Sequence, residues 1–208
     1  MIALDIETSG LDSARCGIWQ IGAIELENPS NVFFQEGRID DDEVVEAGAL
    51  NVIGKTEAEL RDVSKQSQKE LLIAFFVWAK KINGRNCICQ NPQFDVAFVF
   101  AKIRKFGLFE DIGSVIPHRS FDMHTLACYA YFLTNKKFPA FAGKSTMNLS
   151  SVLTFCGMID TRAAHNALED ARLTGECFSR IVFGKNLFNE FSIFPIPSYL
   201  KEDSHDNL

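Results

Sequence analysis

Paired cysteines, long apolar runs and an excess of positive charge are all missing from this sequence. Cys16, Cys87, Cys89, Cys128, Cys156 and Cys177 include no C-x-x-C pair. Cys87 and Cys89 are expected on alternate pleats rather than on one metal, and all six read as reduced, mostly buried thiols of a cytosolic protein. The longest apolar run, Leu71 to Ala79, is too short to cross a bilayer, so no membrane role is expected. The N-terminus lacks a basic segment followed by an apolar one, which argues against a signal peptide. Lys and Arg number 21 against 27 Asp and Glu, a formal net charge of -6. A protein that coats long duplexes is usually basic. An acidic chain points instead to a small substrate, a short strand end or a local basic rim, or simply to solubility. Internal repeats and low-complexity stretches are absent too. What is present is apolar material for a sizeable core, 47% of 208 residues with 19 Phe, which suits one domain with an appended tail.

Residues 2–7, 18–26 and 32–38 read as strands of an antiparallel meander, with a turn at Asn28-Pro29-Ser30-Asn31. Residues 39–55 are acidic and then irregular, a surface loop with a short turn near 47–50. Thr56 with Glu59 makes a capping box, and a second helix runs from about Gln68 to Ile82, ended by Asn83-Gly84. Residues 87–90 form a short strand. Asn91 as cap and Pro92 at the first helical position open a helix to about Lys105. Further elements are a strand ending near Ser120-Phe121, a helix from about Asp122 to Leu133, a loop over 134–145, and a helix capped by Asn148 and ending at Gly157. The last helix opens at 165–170 and runs to about Phe183; residues 184–208 are a tail, partly packed and partly flexible, with the first half of the Phe-rich stretch Phe183 to Tyr199 expected on the domain and partner docking as the alternative. A meander followed by helices alternating with short strands predicts an α/β domain with a mixed sheet.

Chemistry begins in the first strand. Asp5 and Glu7, two positions apart, leave one face together, and two carboxylates that close call for a cation between them. Oxygen ligands at this spacing suit Mg²⁺ or Mn²⁺. Asp95 falls in the first turn of the helix opened by Asn91, where the helix dipole also favours a carboxylate. Near the end of the chain, Asn166 is a good N-cap and Glu169 stands where it can return the capping bond. His165 is then the residue before the cap and Asp170 the fourth helical residue. Those two positions normally meet as a hydrophobic staple, and here a histidine and an aspartate occupy them.

The set DIETSGL at 5–11, CQNPQFDVAFV at 89–99 and HNALEDA at 165–171 resembles the DEDD 3′–5′ exonucleases, in their histidine-bearing (DEDDh) branch. The branch includes proofreading exonucleases, oligoribonuclease-like enzymes and tRNA-trimming enzymes. The resemblance covers roughly residues 1–183. It implies an RNase H-like fold, a mixed five-stranded sheet flanked by helices. Asp5, Glu7, Asp95 and Asp170 would hold two Mg²⁺ or Mn²⁺, and His165 would take the proton from the attacking water. Nucleoside 5′-monophosphates would be released from the 3′ end of single-stranded DNA or RNA. Thr8, Ser9 and Leu11 would hold the terminal nucleotide, with backbone amides near its 3′-hydroxyl and Leu11 against the base. Ile53 stands where many relatives carry a base-stacking histidine, and Asn91 and Phe94 complete the substrate set. The departure at Pro92, where relatives more often have a small residue, would stiffen the second motif.

Asp122 reads as a plain N-cap, and His118 and His124 as structural or incidental. A catalytically silent nucleic-acid binding or scaffold module on the same fold is the alternative reading. DNA against RNA, the biological role, and a polymerase or a second copy as partner stay open at this point.

Overall fold

A computed structural model describes residues 1–109, 115–117 and 119–201. His118 and the end of the tail lie outside the described residues. The main sheet has five strands: β1 (Ile2–Thr8), β2 (Ile18–Glu25), β3 (Val32–Glu36), β4 (Cys87–Cys89) and β5 (Phe121–Asp122). Their order is β3-β2-β1-β4-β5; β2 pairs antiparallel with β1 and β3, and β4 pairs parallel with β1 and β5. Helices α1 (Ala47–Ile53), α2 (Glu57–Leu60), α3 (Gln68–Ala79), α4 (Pro92–Lys105), α5 (Met123–Asn135), α6 (Leu149–Phe155) and α7 (Ala167–Phe183) flank it.

The two-residue period of β1 sorts two cores. Ile2, Leu4 and Ile6 face a cluster with Leu71, Phe75, Phe76, Phe98 and Ile103, from α3 and α4. Ala3 faces the other, with Met123, Ala127, Val152, Leu153, Cys177 and Phe178 from α5, α6 and α7. Burying one such ring contributes about 2–3 kcal/mol. Asp5 and Glu7 continue the Ala3 side of the strand. Gly22 of β2, paired with Asp5, is the close-approach point for α7: a Cβ there would lie 2.2 Å from Ala167 C and Leu168 N. The neighbouring Gln20 accepts the Ala167 amide through Oε1 at 2.8 Å. The first turn of α7 is thus pressed against β2.

Several expectations need correcting. Residues 47–53 form α1, not an isolated turn; the helix lacks a side-chain cap and ends on Gly54 at φ 65°. The expected loop over 134–145 contains a hairpin, β6 (Ala140–Phe141) with β7 (Lys144–Ser145). Its turn residues Ala142 and Gly143 have φ 49° and 77°, the positive pair that a two-residue hairpin turn requires. Helix α3 ends at Ala79, before Asn83-Gly84, and its start has a second capping box, Ser67 with Glu70. Asn91 makes no side-chain capping bond, and Asp122 accepts the Thr125 hydroxyl rather than an amide of α5. Cys87 and Cys89 share one face, as residues two apart in a strand must, and both enter the first core. All six cysteines are free, five of them buried. The tail is packed well past its first half: Phe188 and Leu200 are buried, and Glu176 Oε2 accepts the amides of Leu187 and Phe188 at 2.8 and 3.0 Å.

Candidate active site

An open cleft of about 1050 Å³ lies where β1 runs out of its parallel partner. Pairing of β1 with β4 is confined to Ile2 and Ala3, so the Ile6 amide has no strand acceptor on that side. Asp95 Oδ1 supplies one, at 3.2 Å, across from α4. That bond brings the first turn of α4 over the end of β1. Helix α7 brings Asp170 to the same place from the other layer. Asp5, Glu7, Asp95, His165 and Asp170 all line the cleft.

The entry to α7 is built as the polar staple demands. Asn166 Oδ1 accepts the amides of Leu168 and Glu169, both at 3.1 Å. Among the described residues Glu169 returns no bond to Asn166. His165, outside the helix, places Nδ1 3.1 Å from Asp170 Oδ2. With Nδ1–H donated there, Nε2 keeps its lone pair.

The electrostatics are those of crowded carboxylates. Burial pushes Glu7 from an ordinary 4.5 up to about 7; the His165 charge opposes the rise and Asp170 adds to it. Burial likewise raises Asp95 to about 7, against the amide bonds that it accepts. Asp5 is held well above the usual carboxylate range, by burial first and then by Asp95, Asp170 and Glu7. The hydrogen bond to Asp170 leads the influences that raise His165.

Such a site fits divalent cations. Oε1 of Glu7 is buried with no hydrogen-bond partner among the described residues. One ligand atom each from Glu7, His165 and Asp170 lie within 4.8 Å of one another. Acidic oxygens converging in a cleft are the donors that Mg²⁺ and Mn²⁺ prefer.

Of the substrate-binding candidates, Thr8, Leu11, Ile53, Asn91 and Phe94 line the cleft. Leu11 stands 78% exposed at the rim, and Phe94 leans on Phe98 with centroids 4.8 Å apart. Ser9 does not line it. Its amide donates to Gly17 O at 2.9 Å, and its hydroxyl bridges Val44 O and the Gly17 amide, so Ser9 ties the loop after β1 to its surroundings. The Leu11 amide is engaged by Glu46 Oε2 at 3.2 Å.

Arg162 is the residue that motif reading missed. Its Nη1 lies 2.9 Å from both Oδ1 and Oδ2 of Asp170. Nε and Nη2 reach Asp160 at 2.9 and 2.7 Å, and Nη2 reaches Ser150 Oγ at 3.1 Å. The only sequence signal is an arginine two residues after an aspartate in the loop before His165. His124, read from the sequence as structural or incidental, places Nε2 2.7 Å from Ser145 Oγ at the cleft wall.

Comparison with known proteins agrees with this architecture. Cell-death related nuclease 4 superposes with a TM-score of 0.66 at 13% identity, over 89% of this chain and 64% of that one. Exonuclease I of E. coli, in complex with a dT13 oligonucleotide, gives 0.65 at 20% identity, over 86% of this chain and 40% of the other. At such identities the likeness concerns the fold, which is RNase H-like. DNA polymerase III PolC-type of Caldanaerobacter subterraneus subsp. tengcongensis is 26% identical over 206 residues. That match covers 99% of this chain but 13% of the polymerase, so the chain spans a small part of its relative. The exonuclease family model RNase T matches residues 2–178, and the chain belongs to that family.

Proposed function

We propose that this chain is a metal-dependent 3′–5′ exonuclease of the DEDDh type, releasing nucleoside 5′-monophosphates from single-stranded DNA or RNA ends. The observation that carries the reading is the convergence of Asp5, Glu7, Asp95, His165 and Asp170 on one cleft from three distant segments. Residues 1–183 form the exonuclease domain, and residues 184–201 pack on it as an extension.

Asp5, Glu7, Asp95 and Asp170 would hold two divalent cations, Mg²⁺ or Mn²⁺, which when bound activate water and stabilise the leaving oxygen of an in-line displacement. His165 acts as general base. Its Nδ1–H donates to Asp170, which leaves Nε2 to accept the proton from the attacking water. The water oxygen bonds to phosphorus as the bond to the 3′-oxygen breaks. The departing 3′-oxygen takes a proton from solvent, so the shortened strand ends in a new 3′-hydroxyl, and the product leaves as a 5′-monophosphate. Leu11 and Ile53 present apolar surface to the terminal base, Phe94 offers a ring edge, and Thr8 and Asn91 supply polar contacts.

The likeness to a PolC-type polymerase supports a polymerase as partner, and the free thiols support a reducing, cytoplasmic setting. The test is a panel of end-labelled DNA and RNA strands with Mg²⁺, with and without chelator, beside a circular single strand. Mononucleotides are expected from linear strands only, and only with the metal. Cleavage of the circle, or no release under any divalent ion, would overturn the reading.

A further inference from the structure

From Met123 to Ile159 the chain has no Asp or Glu, although it holds 27 of them in all. Three lysines fall in this stretch, Lys136, Lys137 and Lys144, all around the β6–β7 hairpin and all exposed. None has an ion-pair partner among the described residues. Four lysines elsewhere do have one: Lys55 pairs with Glu59, Lys65 with Glu36, Lys102 with Glu43 and Lys105 with Asp40. An acidic protein thus presents here a basic surface with no carboxylate in its own stretch of chain.

Aromatic rings stand among these charges. Phe141 on the hairpin is 78% exposed, Phe138 beside it 65%, and Tyr129 on α5 58%. Phe138 stacks on Phe132 of α5 with centroids 4.8 Å apart and planes inclined by 22°, so its ring is held in place. The hairpin is continuous with the cleft. Ser145 at its end, then Met147 and Asn148, line the cleft wall. His124 holds Ser145, and Gln90 Nε2 donates to Met147 O at 3.0 Å.

We infer that this hairpin and the adjoining end of α5 bind the body of a single-stranded polynucleotide whose 3′ terminus lies in the cleft. Unpaired ammonium groups interleaved with exposed rings are the chemistry that tracks a phosphate backbone and stacks bases without regard to sequence. A purely apolar protein partner would leave the lysines without a counter-charge. An anionic membrane shares the chemistry, but contiguity with the cleft favours the strand. The inference deepens the proposed function and rests on it.

Two variants test it, Phe141→Ala and the triple change Lys136→Ala, Lys137→Ala, Lys144→Ala. Binding of labelled oligothymidylate and oligouridylate is measured by anisotropy in chelator, where no turnover occurs. KM and kcat are measured with metal on a long strand and on a dinucleotide. Phe141→Ala is expected to weaken long-strand binding about ten-fold. The triple variant is expected to flatten the salt dependence, by about 0.7 in log–log slope for each phosphate that a lysine no longer neutralises. Dinucleotide kinetics should stay unchanged in both, and so should the thermal melt. A loss on only one polymer supports the track and assigns it to that polymer. Unchanged long-strand binding in both variants overturns the inference, as does retained strand binding with lost affinity for phosphatidylserine vesicles. Should the wild type bind strands through this surface yet release no nucleotide, the proposed function fails while the track stands.

Discussion

Arg162 grips Asp170 through one nitrogen, Nη1 lying 2.9 Å from each carboxylate oxygen, while its other nitrogens are held by Asp160 and Ser150. Both side chains are nearly inaccessible, 8% and 3% exposed. The guanidinium neutralises an oxygen pair that the proposed cation would also need. Replacing Arg162 by Ala leaves the buried Asp170 carboxylate with only the half-exposed His165 against it, at a cost on the order of 3 kcal/mol. The expected result is a lower melting temperature in chelator together with tighter Mn²⁺ binding by calorimetry, because the competitor for Asp170 is gone. An unchanged melt in chelator would mean that the pair does not hold the loop before His165.

The carboxyl groups set a pH dependence of unusual sign. Glu7 and Asp95 ionise near 7 in the folded protein and near 4 when unfolded. Between these values the native state binds more protons, so stability falls as pH rises. For Glu7, moved from 4.5 to about 7, the loss is on the order of 3 kcal/mol. His165 acts in the same direction: its folded value is raised, so its contribution is present below the ordinary 6.5 and lost as pH climbs through the folded value. Melts of chelator-treated protein should therefore decline from about pH 5 to about pH 8. Saturating Mg²⁺ should flatten the decline, and Glu7→Gln should remove part of it. A melting temperature that rises across that window would contradict the assignment.

Gly22 couples the sheet to the site. A methyl group there would sit 2.2 Å from the backbone of Ala167 and Leu168, atoms that cannot swing aside. Gly22→Ala should push the first turn of α7, with Asp170, away from Asp5 on β1. A destabilisation of about 1–3 kcal/mol in urea unfolding is expected, with weakened Mn²⁺ binding. Gly48 is the control. It lies in α1 with nothing within 4 Å, so Gly48→Ala should stabilise by about 0.5–1 kcal/mol.

What was legible in the chain depended on period and capping. The alternation of β1 assigned Asp5 and Glu7 to one face, and the staple spacing separated His165 from the helix that holds Asp170. Arg162 was not legible, because a loop arginine has no period and its partners lie 2, 8 and 12 residues away. The β6–β7 hairpin escaped because its strands are two residues each, too short to show alternation, and its turn uses Ala142 where an asparagine or glycine would announce it. Helix α1 escaped because Glu46, at its N-cap position, turns its carboxylate to the Leu11 amide instead of capping the helix. The motif around Ser9 points to substrate, yet its bonds to Val44 and Gly17 give it a structural role that only the three-dimensional path of the loop defines.

His165 and Asp5 separate proton transfer from metal binding. His165 lies outside α7 with its side chain 49% exposed, so His165→Ala removes one half-exposed pair and leaves the Asn166 cap intact. The fold and the affinity for Mn²⁺ should persist, while turnover falls by about 10²–10⁴ for want of a general base. Asp5→Asn should do the opposite. It removes a carboxylate that burial and three acidic neighbours disfavour, so the chelator-treated protein should melt no lower than wild type. Its Mn²⁺ affinity should nevertheless collapse. Single-turnover rates beside metal titrations of both variants make the comparison. Wild-type turnover in His165→Ala would remove the imidazole from the chemistry, and undiminished Mn²⁺ binding in Asp5→Asn would remove Asp5 from the metal site.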